Sequence, residues 1–311
     1  MPLAKTCTEP NYLQYSLEKL EQVYQDMIGQ YEECMLCPHQ CKVNRKKGEQ
    51  GFCRGGIETK LGSSSLHFGE EPPVTGTRGS GTLFFSHCTL RCVYCQNYPL
   101  SQLHHGMLLS DEALAERMLK LQQDGAHNLN WVTPTQFLPS AFHALLIARE
   151  KGLRLPIVYN TSGWENDPSL SWFEYFVDGY LVDSRYYKDE TAFALSGAKN
   201  YRELNIHVLR TVRKQLPDDY FDDQNILQKG VIVRILMLPH YIDETVAVIH
   251  QLKEVLGNEV YVSLMSQYFP AYKALQHPFM HRRIRYNEYQ KAVTALEKCG
   301  FEKGWVQDYE S

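Results

Sequence analysis

The chain has 311 residues, a formal net charge of −4 and a hydrophobic fraction of 43%. This length suits one large domain with a small addition or two modest domains, and the hydrophobic content excludes a mainly disordered chain. The slightly acidic charge argues against a dedicated nucleic-acid-binding protein. The segment MPLAKTCTEP lacks the apolar core of a secretion signal and no apolar stretch has membrane-spanning length, so we expect a soluble cytoplasmic protein without a membrane partner.

The N-terminal region begins with a predicted amphipathic helix over residues 11–31. Its apolar side chains recur at steps of four and three, as on one helical stripe that packs against the main body: Leu13, Leu17, Leu20, Tyr24, Met27 and Tyr31. Residues 34–56 are rich in Cys, Gly and charge and lack periodicity, which predicts an irregular segment. Residues 57–80 are rich in Gly, Ser and Pro and predict a connector. We therefore expect an N-terminal extension over 1–80 and a core domain over 81–311.

The core domain alternates short β-rich runs with helical segments. Helices are predicted at 110–125, 241–257 and 286–300, the first with Ser110 as its N-cap. The β-rich runs lie at 82–86, 128–132, 156–160, 179–183, 231–238 and 260–265. Because these runs lack alternating polar and apolar residues, we expect parallel strands buried on both faces. Six repeats are more than half of an eight-fold β/α barrel, and a doubly wound open sheet is the alternative.

In either architecture, functional groups gather at the carboxyl ends of the strands. Six segments follow the predicted strands directly. They are Cys88–Cys95, Thr133–Thr135, Asn160–Gly163, Asp183–Arg185, Pro239–His240 and Ser266–Tyr268. We expect the site to be built from them.

The first of these segments carries a cysteine motif. Cys88, Cys92 and Cys95 lie within eight positions of the stretch HCTLRCVYCQN. Three thiolates spaced C-x3-C-x2-C leave one iron of a [4Fe–4S] cluster without a protein ligand, whereas clusters that only carry electrons are usually held by four cysteines. The open iron is then a binding site for an exogenous ligand. A three-cysteine zinc site is the alternative, although zinc ligands usually come in separated pairs.

The run C-x3-C-x-aromatic-C, with Tyr94 in the aromatic position, resembles the signature of the radical S-adenosylmethionine (SAM) superfamily. The segments GTRGSGTLFFS, GAHNLNWVTPT, YNTSGW, VRILMLPH and GWVQ resemble, in the same order, proteins related to the pyruvate formate-lyase activating enzyme, in particular relatives with an extra N-terminal cysteine motif. The resemblance implies a partial (β/α)6 TIM-like barrel preceded by a small helix and a Cys-rich metal-binding extension. It also implies a [4Fe–4S] cluster whose open iron is chelated by the methionine part of SAM.

The same resemblance implies residues that bind SAM. Tyr94 would lie beside the adenine. Thr133 and Thr135 stand where many relatives bind the methionine amine, with a simple proline turn as the alternative. Asn160 and Ser162 belong to a run that lies near the ribose in relatives, where an acidic residue takes the place of Asn160.

Further SAM-binding candidates follow the later strands. Asp183 and Arg185 stand where relatives have an acid and a lysine. Arg234 lies within an apolar strand and needs a partner, because burying an unpaired charge is costly. Either a structural acid such as Asp183 or the SAM carboxylate would serve. Gln267 follows the sixth strand and is expected to reach the adenine or ribose.

A second cysteine motif precedes the core. Cys34, Cys37, Cys41 and Cys53 are spaced C-x2-C-x3-C-x11-C on the irregular segment. Four thiolates match a closed zinc site that would hold the segment in place of a core. A second [4Fe–4S] cluster acting as an electron relay is the other interpretation. The sequence leaves both open.

Three functions compete at this stage. The first is a radical SAM enzyme that abstracts hydrogen from a glycyl residue of a partner protein and receives electrons from a donor such as flavodoxin or ferredoxin. The second is a radical SAM enzyme that acts on a small metabolite or on RNA. The third is a non-catalytic, Cys-rich metal-binding protein. Fold and cofactor are shared by the first two, so the sequence does not separate them.

Overall fold

The structure is a computed structural model and describes residues 9–309, so most of the N-terminal segment tested above for a secretion signal lies outside the described residues. Its strands are β1 (Thr59–His67), β2 (Ser80–Phe85), β3 (Met107–Leu109), β4 (Leu129–Val132), β5 (Ile157–Thr161), β6 (Gly179–Asp183), β7 (Tyr220–Phe221), β8 (Leu227–Leu236), β9 (Tyr261–Met265) and β10 (Gly304–Val306).

The α-helices lie before, between and after these strands. They are α1 (Asn11–Gln14), α2 (Leu17–Ile28), α3 (Pro72–Thr75), α4 (Tyr98–Ser101), α5 (Asp111–Gln123), α6 (Leu138–Glu150), α7 (Asp167–Phe173), α8 (Asp189–Ser196), α9 (Tyr201–Gln215), α10 (Ile242–Leu256) and α11 (Tyr286–Lys298). Among them, none has both the length and the apolar content that a membrane crossing needs.

The strands form one sheet in the order β10-β9-β8-β6-β5-β4-β2-β1-β3, and β7 pairs with β8. Every pair along the path β10-β9-β8-β6-β5-β4-β2 is parallel, and consecutive strands of this path are connected through helices. The pairs β1–β2, β1–β3 and β7–β8 are antiparallel. Every residue of β5 and β6 is buried, as in a sheet covered on both faces. The predicted α/β fold with a partial (β/α)6 barrel is thereby confirmed.

The six predicted strands and three predicted core helices are all present. Helix α5 begins as expected, because the Ser110 hydroxyl accepts a hydrogen bond from the Ala113 amide at 3.2 Å. The helix predicted over 11–31 is divided, because Ser16 accepts a hydrogen bond from the Lys19 amide and starts α2 as a new helix. Helix α2 packs against α6 and buries Leu20 and Met27 there.

The connector predicted over 57–80 is wrong in its first half. Residues Thr59–His67 form β1, which pairs antiparallel with β2 in a register that joins Leu66 to Gly81. The strand was not predicted because its residues are mostly small and polar. It is stabilised by pairing with β2 and not by local apolar content. The division into 1–80 and 81–311 stays a prediction, and β1 belongs to the same sheet as the core strands.

Candidate active site

Three thiols share one cavity at the carboxyl edge of the sheet. Cys88, Cys92 and Cys95 follow β2 and line a cavity of about 460 Å³ together with Tyr94. Residues after or near the ends of the neighbouring strands complete its walls: Thr133, Asn160, Asp183, Arg185, Arg234, Met265 and Gln267. The cavity therefore collects most of the residues predicted from the strand ends.

The cysteine loop is held in place by main-chain hydrogen bonds. The Arg91 amide donates to the Ser196 carbonyl at 2.9 Å, and the Val93 amide donates to the Leu195 carbonyl at 2.8 Å. Both acceptors lie at the end of α8. This pairing positions a loop that has no regular structure of its own.

The sulfur atoms are surrounded by hydrogen-bond donors. Cys92 Sγ accepts from the Ser196 hydroxyl at 3.0 Å and from Arg185 Nη1 at 3.2 Å. Cys95 Sγ lies 3.1 Å from the Ser101 hydroxyl. Burial, and then the neighbouring Cys92, raise the pKa of Cys88 to about 12. A thiolate at this position needs a cationic centre to stabilise it, as bound iron does.

The three core thiols are compatible with the binding of a cluster. Within residues 9–309, no group of three or more Cys, His, Asp or Glu side chains is placed to hold a metal ion. Cluster thiolates bind different irons, so they share a cavity without meeting at one point. The thiols of Cys88, Cys92 and Cys95 fit this description, because all three line the same cavity and influence one another electrostatically.

Arg234 organises the opposite wall. Its Nε donates to Asp183 Oδ1 at 2.9 Å, Nη1 to Glu70 Oε2 at 3.1 Å and Nη2 to Asn160 Oδ1 at 2.8 Å. Burial raises the pKa of Asp183, but Arg234 and Arg185 outweigh it and hold the pKa below its ordinary value. Asp183 is thus the structural partner of Arg234 that the sequence suggested, and each of the three guanidinium nitrogens donates a hydrogen bond to the protein.

Two predicted residues do not reach the cavity. The Thr135 hydroxyl donates to Glu165 Oε1 at 2.9 Å and lies 3.0 Å from the Tyr159 hydroxyl, away from the cavity wall. Ser162 is buried behind the strand, and its carbonyl accepts from the Tyr201 hydroxyl at 2.9 Å. Thr135 and Ser162 therefore do not line the cavity, whereas Thr133 does, and the SAM contacts expected of these residues stay predictions.

The sequence interpretation missed Glu70. This residue lines the cavity, accepts from the Asn130 amide at 3.0 Å and pairs with Arg234. Burial raises the pKa of Glu70, although Arg234 opposes the shift. Its only sequence signal was indirect, since a buried arginine in an apolar strand requires an acidic partner from elsewhere.

Two of the four N-terminal cysteines lie beside a buried arginine. Arg45 is 5% exposed, and its Nη2 donates to Cys34 Sγ at 3.0 Å and lies 3.7 Å from Cys53 Sγ. The Phe52 amide donates to Cys41 Sγ at 3.3 Å. Burial, followed by the nearby Cys53, raises the pKa of Cys37. The predicted thiols are brought into one neighbourhood, with a cation beside them.

Several buried polar atoms around this segment lack a hydrogen-bond partner among the described residues. They are Arg45 Nε, Gln136 Oε1, Glu165 Oε2 and Asn166 Oδ1. Each belongs to a residue tied to the segment: Arg45 bonds the Gln136 carbonyl, Asn166 bonds the Met35 carbonyl, and Glu165 acts on Cys37 electrostatically. Buried polar groups are usually paired, so this region has hydrogen-bonding capacity beyond the contacts among the described residues.

The two cysteine motifs are adjacent. His87, directly before Cys88, has a positive φ of 64° and its Nδ1 lies 2.8 Å from the Cys53 carbonyl. Burial lowers the pKa of His87 to about 4, so its ring is neutral at physiological pH. One histidine thereby connects the N-terminal cysteine segment to the first cysteine of the core motif.

No protein-family model matches the chain. The chain is 29% identical over 301 residues to the uncharacterized protein MJ0674 of Methanocaldococcus jannaschii, covering 93% of this chain and 80% of that protein. Among solved structures, methylornithine synthase (PylB) superposes with a TM-score of 0.50 and 14% identity, covering 95% of this chain and 72% of that chain. The two share a fold. SuiB of Streptococcus suis bound to S-adenosylmethionine has a TM-score of 0.48 at 9% identity, and the match spans 71% of this chain and about half of SuiB, 48%.

Proposed function

We propose that this protein is a radical SAM enzyme that holds a [4Fe–4S] cluster through Cys88, Cys92 and Cys95. The observation that carries the proposal is the convergence of these three thiols on one cavity whose other walls include charged groups at the strand ends. A cluster bound there would supply one electron for the reductive cleavage of SAM to methionine and a 5′-deoxyadenosyl radical. This radical would then take a hydrogen atom from the substrate. The third alternative, a non-catalytic Cys-rich protein, does not account for such a cavity.

The residues of the chain would bind SAM, orient the cluster ligands and shield the cavity from water. Arg185 and Ser196 donate to Cys92 Sγ and thereby fix its orientation. Tyr94 and Gln267 line the cavity and are placed to contact the nucleoside. Tyr94 is buried, and its hydroxyl lies 2.5 Å from that of Tyr186, which holds the ring rigidly. A cavity enclosed in this way limits the access of water to reactive species.

For the substrate, we propose a glycyl residue of a partner protein. Phe68 is 61% exposed and lies between two residues that line the cavity, His67 and Gly69. Phe269 is 43% exposed and follows Gln267 by two positions. Exposed aromatic side chains next to cavity-lining residues favour a macromolecular substrate over a small polar metabolite, and the net charge of −4 favours a polypeptide over RNA. Electrons would come from a reduced flavodoxin or ferredoxin.

For the N-terminal cysteines, we propose a second [4Fe–4S] cluster in place of zinc. Zinc draws four thiolates to about 2.3 Å around one ion. A closed [4Fe–4S] cluster also takes four thiolates, so the donors around the thiols have to distinguish the two groups. The arginine donor to Cys34 is consistent with a cluster, because hydrogen bonds to cluster sulfurs tune these centres.

The proposed function is tested by anaerobic reconstitution with iron and sulfide, followed by dithionite and SAM. We expect 5′-deoxyadenosine from the wild-type protein and none from C88A/C92A/C95A. Deuterium transfer into 5′-deoxyadenosine from a peptide carrying deuterated glycine would then support the glycyl substrate. Absence of 5′-deoxyadenosine from protein that carries a full cluster would refute the enzyme, and transfer from RNA or metabolites alone would refute the glycyl assignment.

A further inference from the structure

A second, smaller cavity lies between the two cysteine motifs. Its volume is about 260 Å³, and its walls include both Cys53 and Cys88. Cys88, Ser101 and Gln102 line this cavity as well as the large one. Cys88 therefore belongs to the walls of both the proposed SAM cavity and this second cavity.

The rim of the smaller cavity is basic. Arg54, Arg91 and Lys273 line it, and all three are exposed. No aspartate or glutamate lines it, and within residues 9–309 none of the three cations forms an ion pair. The whole chain carries a net charge of −4, so this rim is a local reversal of sign. Unpaired like charges around one opening attract an anionic partner.

The rim is held in a fixed geometry before any partner binds. Arg91 Nη2 donates to the Phe52 carbonyl at 2.8 Å, and its guanidinium lies 4.1 Å from the centre of the Phe52 ring. Phe52 in turn stacks on His39 with ring centres 3.7 Å apart. Tyr272, beside Lys273, stacks on Tyr98 at 5.2 Å. Side chains that are already ordered lose less entropy when a partner docks.

We propose that this basic rim, formed by Arg54, Arg91 and Lys273, is the docking surface for a small acidic electron-transfer protein. The inference rests on the proposed function and names the entry point of its electron. One electron passes from the reduced donor protein to the centre held by Cys88, Cys92 and Cys95, so the donor is oxidised by one electron and no covalent bond to the donor forms. Because Cys88 lines both cavities, a donor at the rim lies next to a proposed cluster ligand.

The test uses Arg54→Glu/Lys273→Glu as the rim variant. Lys214→Glu/Lys253→Glu is the matched control, since it makes the same change of charge at exposed positions on α9 and α10. Formation of 5′-deoxyadenosine is measured with reduced flavodoxin and, separately, with dithionite. Binding of oxidised flavodoxin to the cluster-free protein is measured by fluorescence anisotropy at low and high salt.

We expect the rim variant to lose about tenfold or more in flavodoxin-driven turnover and in flavodoxin affinity, with both effects reduced at high salt. Dithionite-driven turnover should stay within about twofold of wild type in every variant, because a small reductant needs no docking surface. The control variant should behave as wild type with both reductants.

Equal flavodoxin affinity and turnover in the rim and control variants would overturn the proposal. So would a rim variant that loses binding of a single-stranded RNA while keeping that of flavodoxin, since the rim would then be an RNA site. If dithionite yields no 5′-deoxyadenosine even from wild type, the proposed enzyme fails. Flavodoxin binding to the cluster-free protein still decides the docking surface in that case.

Discussion

Arg185 donates a hydrogen bond from Nη1 to the sulfur of Cys92 over 3.2 Å, while its Nε donates to Asp183 at 3.0 Å. The guanidinium is therefore clamped by a carboxylate on one side and directed at a proposed cluster ligand on the other. Asp183 is itself held by Arg234. The acidic and basic groups at the strand ends thus orient the guanidinium of Arg185 toward the sulfur of Cys92.

Replacing Arg185 with leucine is expected to lower the reduction potential of the cluster. The positive charge and the hydrogen bond to Cys92 both stabilise the reduced, more negative state. A charge-assisted hydrogen bond of about 1.5–3 kcal/mol corresponds to a shift on the order of 60–130 mV for one electron. An EPR-monitored redox titration measures this shift.

Two controls accompany the Arg185 titration. Arg185→Lys keeps the charge and should shift the potential less, whereas Arg202→Leu removes a charge whose hydrogen-bond partner is Gln251, not a thiol, and should leave the potential unchanged. A potential that is equal in wild type and Arg185→Leu would show that this contact does not tune the centre.

Replacing Arg234 with methionine is expected to destabilise the protein strongly. The change leaves the buried carboxylate of Glu70 without its ion-pair partner and deprives Asp183 of one of two. Breaking a buried pair by removing one partner costs about 3–5 kcal/mol. Lys291→Ala serves as the control, because its pair with Asp243 is exposed and worth less than about 1 kcal/mol. Urea unfolding curves give both values, and similar losses in the two variants would contradict the argument.

Strand positions were predictable from sequence, but side-chain directions were not. Buried parallel strands such as β5 and β6 begin with short apolar or aromatic runs without polar alternation, and this local signal is readable from the sequence. The strand-end rule placed Asn160 and Asp183 correctly. Thr135 lies outside the cavity lining, because it begins a 3-10 turn over Thr135–Phe137 and its hydroxyl donates to Glu165. The sequence thus placed Thr135 after the correct strand, but tertiary contacts decide the direction of its side chain.

Glu70 shows a different limit of the sequence. It lies just after β1, outside the six strand-helix repeats, and reaches the cavity only because β1 pairs with β2. That pairing is non-local and leaves no periodic signal in a run as polar as TKLGSSSLH. Nothing in residues 59–71 therefore indicated that an acid from this segment would pair with Arg234.

The pH dependence of stability should change when Glu165 is replaced with glutamine. Burial raises the pKa of Glu165 from 4.5 to about 7, against the opposing hydrogen bonds of Thr161 and Thr135. Between these values the unfolded state binds fewer protons than the folded state. The associated stability is thus fully present below about pH 4.5 and is lost as the pH rises to about 7. Its size is on the order of 3 kcal/mol.

Urea unfolding of the cluster-free protein from pH 4.5 to 8 checks this prediction. The wild type should lose stability across the window, and Glu165→Gln should show a flatter profile because glutamine does not titrate. Glu116→Gln, at an exposed position of α5, should follow the wild-type profile. Parallel profiles for wild type and Glu165→Gln would mean that Glu165 keeps its ordinary pKa.

The N-terminal cysteines should retain iron when the core motif is removed. In C88A/C92A/C95A, Cys34, Cys37, Cys41 and Cys53 remain, and four thiolates are the usual complement of a closed [4Fe–4S] cluster. We expect about four irons per chain in this variant, a visible iron–sulfur absorption band, and no 5′-deoxyadenosine, because a closed cluster offers no iron to SAM. Adding Cys34→Ala and Cys53→Ala should abolish the residual iron, since both thiols lie beside the Arg45 guanidinium at the centre of the group. Iron, sulfide and zinc analyses of the two variants decide between a cluster and zinc at the N-terminal cysteines. A C88A/C92A/C95A protein with one zinc and no iron would establish a zinc site instead.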